Sequence, residues 1–286
     1  MPDTNQNHKF HSPIGAEDYL EPACLLGGAP MGQPEPPRPV DVRRVAEKLD
    51  AYCARRDFAG AERHLDYWLA EARFIGDKRG ELALQNERMG FFRKQGREAE
   101  AVDAALAAAD LVPVTAGEDS VSAATCYVNV GTVYDSFDRP AEALPWFEKA
   151  LPLYELLLPE GDSRRGGLYN NMGLALAGLE RWEEARKRFQ MALTAMEGTR
   201  YGPWEQAITC LNMADAEAAE KGPEASEAEV QALLERACAL LDDERTPRNV
   251  YYAFVCEKCA PGLLYHGWFA YGEELKERSE AYYDRT

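Results

Sequence analysis

The sequence predicts an all-α fold, a right-handed α-solenoid of about six stacked helix-turn-helix repeats. Two observations carry that prediction. Leu49, Gly90, Gly131, Gly173, Ala214 and Val255 recur at spacings of 41 or 42 residues, and a fixed period of this length marks units that each bury an apolar face against the next. Twelve residues beyond the first four anchors an alanine or valine recurs, with a larger apolar residue four further on: Ala61 with Leu65, Val102 with Leu106, Ala143 with Phe147, Ala185 with Phe189. Residues four apart share a helix face, so each pair belongs to the second helix of its unit.

Taken in order, residues 1–40 differ in kind from the rest. Eight of the 17 prolines fall there, with Pro34-x-x-Pro37 and Pro36-x-x-Pro39, and no helical period is visible, so the segment reads as a disordered or extended leader. An apolar island, Tyr19-Leu20 and Cys24-Leu25-Leu26, leaves open that it docks over the first repeat or inside a groove. Residues 41–286 hold the repeats. The first copy, Asp41 to Asp77, and the last, Asn249 to Thr286, are degenerate, as capping units of a stack are. Asn86 to Ala109 is a clearer second copy. The third is the best written: Tyr127-x-x-Val130-Gly131-x-x-Tyr134, then Ala143-x-x-x-Phe147 and Ala150. Tyr169-x-x-Met172-Gly173-x-x-Leu176 with Ala185, Phe189 and Ala192 follows it closely. A small anchor lets the two helices of a pair approach, which predicts close crossings at Gly131 and Gly173.

These copies resemble the tetratricopeptide repeat, whose usual period is about 34 residues. The longer period and the Asn170-Asn171-Met172-Gly173 stretch resemble kinesin light chain and its bacterial look-alikes. Helix punctuation fits the repeats: Asp138 precedes Pro140 at a helix start. Pro145 and Pro152 straddle the apolar positions of the same helix, which predicts a kink or break there. In the fifth copy Glu220 to Glu229, with Gly222 and Pro223, reads as an enlarged turn, after which Leu234 and Ala237 resume the pattern.

Composition narrows the function classes. There are 49 acidic against 32 basic residues, a net charge of −17, and no dense basic cluster to neutralise phosphates, so nucleic acid is a poor partner. No run approaches a membrane span and the start lacks a signal-peptide pattern. Seven scattered cysteines read as reduced thiols. Together these point to a soluble cytoplasmic protein with no membrane partner. Cys256-x-x-Cys259 has metal-like spacing, but with His266 alone nearby it lacks a full ligand set and reads as packing inside the last repeat. His64 reads as a packing or rim residue. No phosphate loop or nucleophile elbow occurs, so no cofactor, metal or catalytic residue is assigned and the chain reads as non-enzymatic. The C-terminal aromatics, Tyr251, Tyr252, Phe254, Tyr265, Trp268, Phe269, Tyr271, Tyr282 and Tyr283, plug the open end of the stack or form a docking patch for a partner, including a second copy in a homodimer.

The resemblance implies a concave side lined by the first helix of each pair and a protein or peptide partner held there. Two places before successive anchors stand Arg88, Asn129, Asn171 and Asn212. Asparagine is a mediocre helix former, so three in register require a gain: an amide row that clamps a peptide main chain, or amides that tie neighbouring helices together. Glu87, Phe91, Lys94, Thr132, Asp135, Asn170 and Asp215 complete the candidate groove. It lacks the repeated Lys and Arg that, in chaperone-binding relatives, grip a C-terminal carboxylate. The reading is therefore an interaction module for a peptide or partner segment. The alternative is a ligand- or peptide-sensing regulator, similar to bacterial pheromone receptors built from such repeats. An enzyme with its site in the cysteine-rich last repeat is a third class.

Overall fold

The computed structural model describes residues 38–115 and 117–283. Apart from its last three residues, the proline-rich leader with Cys24 lies outside them, as do the C-terminal three residues. The described residues from Pro39 onward form one unit. Among the described residues twelve α-helices follow in order: α1 Val42–Ala54, α2 Phe58–Phe74, α3 Lys78–Lys94, α4 Glu98–Thr115, α5 Val121–Ser136, α6 Pro140–Leu157, α7 Ser163–Gly178, α8 Trp182–Met196, α9 Gly202–Lys221, α10 Glu227–Leu241, α11 Val250–Tyr265 and α12 Phe269–Tyr283. No strand occurs among the described residues. Consecutive helices pack as pairs, and each pair packs on the next.

Local chemistry sets the helix starts. Carboxylates of Asp41, Asp57 and Asp77 accept from the backbone N–H of Arg44, Gly60 and Gly80, Ser120 does the same for Ala123, and Asn249 caps α11. Each satisfies a donor that the helix itself leaves unpaired. Pro140 opens α6. That helix runs unbroken from Pro140 to Leu157 through both Pro145 and Pro152, contrary to the predicted break. Both prolines stand on the exposed side, as do Ala141 and Glu148, whose carbonyls would otherwise accept from the N–H that proline lacks; that side faces solvent while Ala143, Phe147 and Ala150 stay buried. The enlarged turn of the fifth repeat spans residues 222–226, shorter than expected, because α9 continues to Lys221.

The close crossings fall where the glycines are. A Cβ built on Gly131 would lie 2.5 Å from Cε1 of Phe147, and one on Gly173 would lie 2.5 Å from Cε1 of Phe189; both rings are fully buried. Gly90 does not belong to this set, since a Cβ there would meet nothing within 4 Å. The turn explains why. A left-handed residue follows the crossing position by seven in three repeats, at Arg56, Asp138 and Glu180, and its counterpart in the second repeat is Gly96. The equivalent crossing residue is thus Met89, which is buried, with Ala101 and Ala105 on α4 fully buried while Leu106 is exposed and Val102 half-buried. The second repeat makes the same crossing with the sizes exchanged, large on the first helix and small on the second, a swap that conserves core volume. By the same criterion Gly267 places the last crossing at Ala260 rather than Val255.

Two cores fill the stack. One runs from Leu49 to Phe189 and the other from Leu193 to Leu275, with Met213 packed against both. A small third cluster of Val45, Leu69, Ala72 and Leu84 closes the N-terminal end, where Val40 packs and its N–H donates to Asp77.

Candidate functional site

Successive first helices, α1, α3, α5, α7, α9 and α11, touch one another along the array, and the second helices do not to a comparable degree. The first helices therefore line the narrower, inner side. On α3 the stripe facing inward carries Asn86, Gly90 and Arg93, and on α5 Val128, Thr132 and Asp135; all are half-buried, and spacings of four and three residues put each set on one face. Asn170 and Leu174 continue the stripe on α7, and Asp215 and Ala218 on α9.

The asparagine row lies beside this stripe and forms a ladder between repeats. Asn129 donates to Asn86 at 3.0 Å and Asn212 to Asn170 at 2.9 Å. Between them, where the acceptor position holds Val128, Asn171 turns instead to the Thr132 hydroxyl at 3.3 Å. Asn170, largely buried, also donates to Asn171 at 3.4 Å. Each bond runs from one first helix to the preceding one or along the same helix, from side chain to side chain, and the Oδ1 atoms of Asn129 and Asn212 accept no hydrogen bond from the described residues.

Two expected groove residues are placed elsewhere. Arg88 pairs with Asp66 of α2 at 2.9 Å and lies over the Phe92 ring, so Glu87 takes the row position in the second repeat. Phe91 is a core residue packed against Phe92. Both displacements follow from the one-residue shift of the crossing to Met89. The same shift brings Arg93, which the sequence reading missed, into the position equivalent to Asp135, while Lys94 is exposed at the end of α3. Asp215 is exposed and 2.8 Å from Nε2 of His266. Together with Ala218, Pro223, Val230 and Tyr265 these two border a cleft of about 1030 Å³ between the α9–α10 turn and the end of α11.

Charges on the inner side are unevenly compensated. Burial, with Asp50 nearby, pushes the Glu87 carboxyl up, and Lys94 partly opposes this. Burial and the neighbouring Asp138 push Asp135 up to about 6, and desolvation lowers Arg93. Neither Arg93 nor Asp135 takes part in an ion pair among the described residues. Because Asp135 titrates higher in the folded chain than in the unfolded one, its contribution to stability is greatest when protonated and is lost as pH rises through about 6. Asp135→Asn is therefore expected to stabilise the fold at pH 7 by about 1 kcal/mol, discounted for partial exposure, with the gain vanishing near pH 4. Urea titrations at the two pH values measure this; an equal or reversed difference contradicts it.

The thiols and aromatics of the last repeats divide by burial. Cys210, Cys238, Cys256 and Cys259 are buried, and desolvation raises all four, which keeps them protonated and weakly nucleophilic. No metal-ligand cluster occurs among the described residues, and no helix there is long and apolar enough to cross a membrane. Tyr252 is buried against Trp204, whereas Phe254, Tyr265 and Phe269 are exposed.

Residues 80–155 match the tetratricopeptide repeat family profile. No curated protein matches the chain. Among solved structures it is similar to BtubC (BKLC) from P. vanneervenii, at 20% identity over 73% of this chain and 84% of that one, with a TM-score of 0.61. It is also similar to a kinesin light chain protein of Podosopora anserina with nearly identical TPR-like repeats, at 16% identity over 70% and 94% of the two chains, with a TM-score of 0.48. At such identities the first likeness carries the fold alone. Residues 80–155, on α3 to α6, thus match the tetratricopeptide repeat family, and the same helix pairing on either side gives the chain a tetratricopeptide-like repeat fold.

Proposed function

We propose that the chain is a non-catalytic interaction module that holds a peptide or partner segment against the inner face of its first helices. The observation that carries this is the amide row of Asn129, Asn171 and Asn212, one per repeat, half-buried on helices that touch each other. Their ladder bonds fix the orientation of the amides, and each still has an N–H to give. Asn129 and Asn212 also keep a carbonyl oxygen free. Donors and acceptors at regular intervals, oriented in advance, suit recognition of an extended main chain at low ordering cost. Thr132, Asp135, Asn170, Asp215, Glu87 and Lys94 border the same wall.

Asn171→Ala separates binding from packing. It is expected to weaken a partner co-purified from native extract by about 1–2 kcal/mol, the scale of a desolvated hydrogen bond left unmade, with a smaller change in stability. Quantitative co-purification and thermal melting of both proteins measure the two effects. Lost stability with unchanged binding assigns the row to packing and removes this reading.

A further inference from the structure

Four arginines of the array are each compensated by two carboxylates. Arg97 holds Glu62 and Glu100, Arg139 holds Glu98 and Glu142, Arg186 holds Glu217 and Glu220, and Arg278 holds Asp242 and Glu274. Arg93 and Asp135 are not so compensated, nor is Glu87 on the same helix as Arg93. Arg93 and Asp135 occupy equivalent positions on α3 and α5, both are half-buried, and neither reaches a counter-charge among the described residues, each other's included. Between Asn86 and Arg93 on the same stripe, Gly90 leaves open space where every neighbouring first helix through α9 carries a side chain: Thr132, Leu174 and Asp215. A half-desolvated charge with no partner is a cost to the free protein, and an oppositely charged ligand group relieves it.

We propose that the opening over Gly90, flanked by Arg93 and Asp135, seats an extended peptide segment that carries an acidic side chain for Arg93 and a basic one for Asp135. The inference rests on the inner-face reading above and adds the chemistry of the ligand. Packed helices lie about 8–10 Å apart. A polyproline-type chain advances about 3.1 Å per residue with three residues per turn, so side chains about three positions apart share a face at the required distance. The guanidinium takes a carboxylate through two parallel N–H donors, which favours an acid over other acceptors at that end.

The test uses the full chain and three fluorescein-labelled decapeptides in a Pro/Ala host: one with Asp and Arg three positions apart, one with their order reversed, and one with Asn and Gln in their place. Fluorescence anisotropy is expected to show one charged order binding at least about tenfold tighter than the neutral peptide. Arg93→Gln and Asp135→Asn each remove that advantage. Gly90→Leu, which fills open space and leaves the melting temperature unlowered, abolishes binding. The double variant Arg93→Asp with Asp135→Arg transfers preference to the other order. Equal binding of all three peptides, binding by none, or an advantage that survives Arg93→Gln and Asp135→Asn overturns the proposal. Neutral-peptide binding lost in Asn171→Ala, with no charge preference, overturns this inference while leaving the inner-face reading intact; binding that ignores every inner-face variant removes both.

Discussion

Gly173→Leu is expected to destabilise the fold by more than about 2 kcal/mol. The position has no room: the first added carbon falls 2.5 Å from the Phe189 ring, and that ring is fully enclosed by the larger core, so it has nowhere to move. The remaining carbons of leucine force α7 and α8 apart. Gly90→Ala supplies the contrast. There the added methyl enters open space on a helix, and replacing a helical glycine stabilises by roughly 0.5–1 kcal/mol. Urea unfolding midpoints of the two variants should therefore move in opposite directions. If both fall alike, the assignment of Met89 as the crossing residue is wrong.

Trp204→Ala is expected to cost about 3–5 kcal/mol, the range for deleting a fully buried aromatic. Trp204 is inaccessible to solvent, stacked on Tyr201 with ring centroids 5.4 Å apart and 5.1 Å from Tyr252, and it belongs to the second core. In a stack held by nearest-neighbour contacts the damage stays local. Amide hydrogen exchange should show protection falling in α9 to α12 and persisting in α3 to α6. A uniform loss across the array would mean that the two cores unfold as one.

How much of this was legible in the sequence depends on whether a signal is carried by one residue or by a neighbourhood. Gly131 with Phe147 and Gly173 with Phe189 were readable, because a glycine and an aromatic sixteen residues apart state a crossing directly. Met89 with Ala105 was not, because the sizes are exchanged and Gly90 next door imitates the motif. A better guide to register was present: Arg97-x-x-Glu100-Ala101, Arg139-x-x-Glu142-Ala143 and Arg181-x-x-Glu184-Ala185 repeat at the start of three second helices. Each Arg pairs with its own Glu, and the alanine that follows marks the crossing. Reading it would have placed Arg93 rather than Lys94 opposite Asp135. The amide row was visible, but its partners were not. Asn86 and Asn170 are acceptors only because the following repeat stands beside them, and the single valine at position 128 redirects Asn171 to Thr132, a choice that no one-dimensional spacing encodes.

The two sides of the array are tied by different chemistry, and this gives the molecule an asymmetric response to salt. From α3 to α9 neighbouring first helices are linked by neutral amides and a hydroxyl. At the opposite end of the pairs, near the turns, ion pairs add to the apolar packing between repeats, Arg97 to Glu62 and Arg139 to Glu98, with partners a third to a half exposed. Ionic strength screens the second kind and leaves the first almost untouched. In concentrated salt the stack behaves as a row of leaves bound along one spine, with the bound edge keeping its spacing and the free edge gaining compliance.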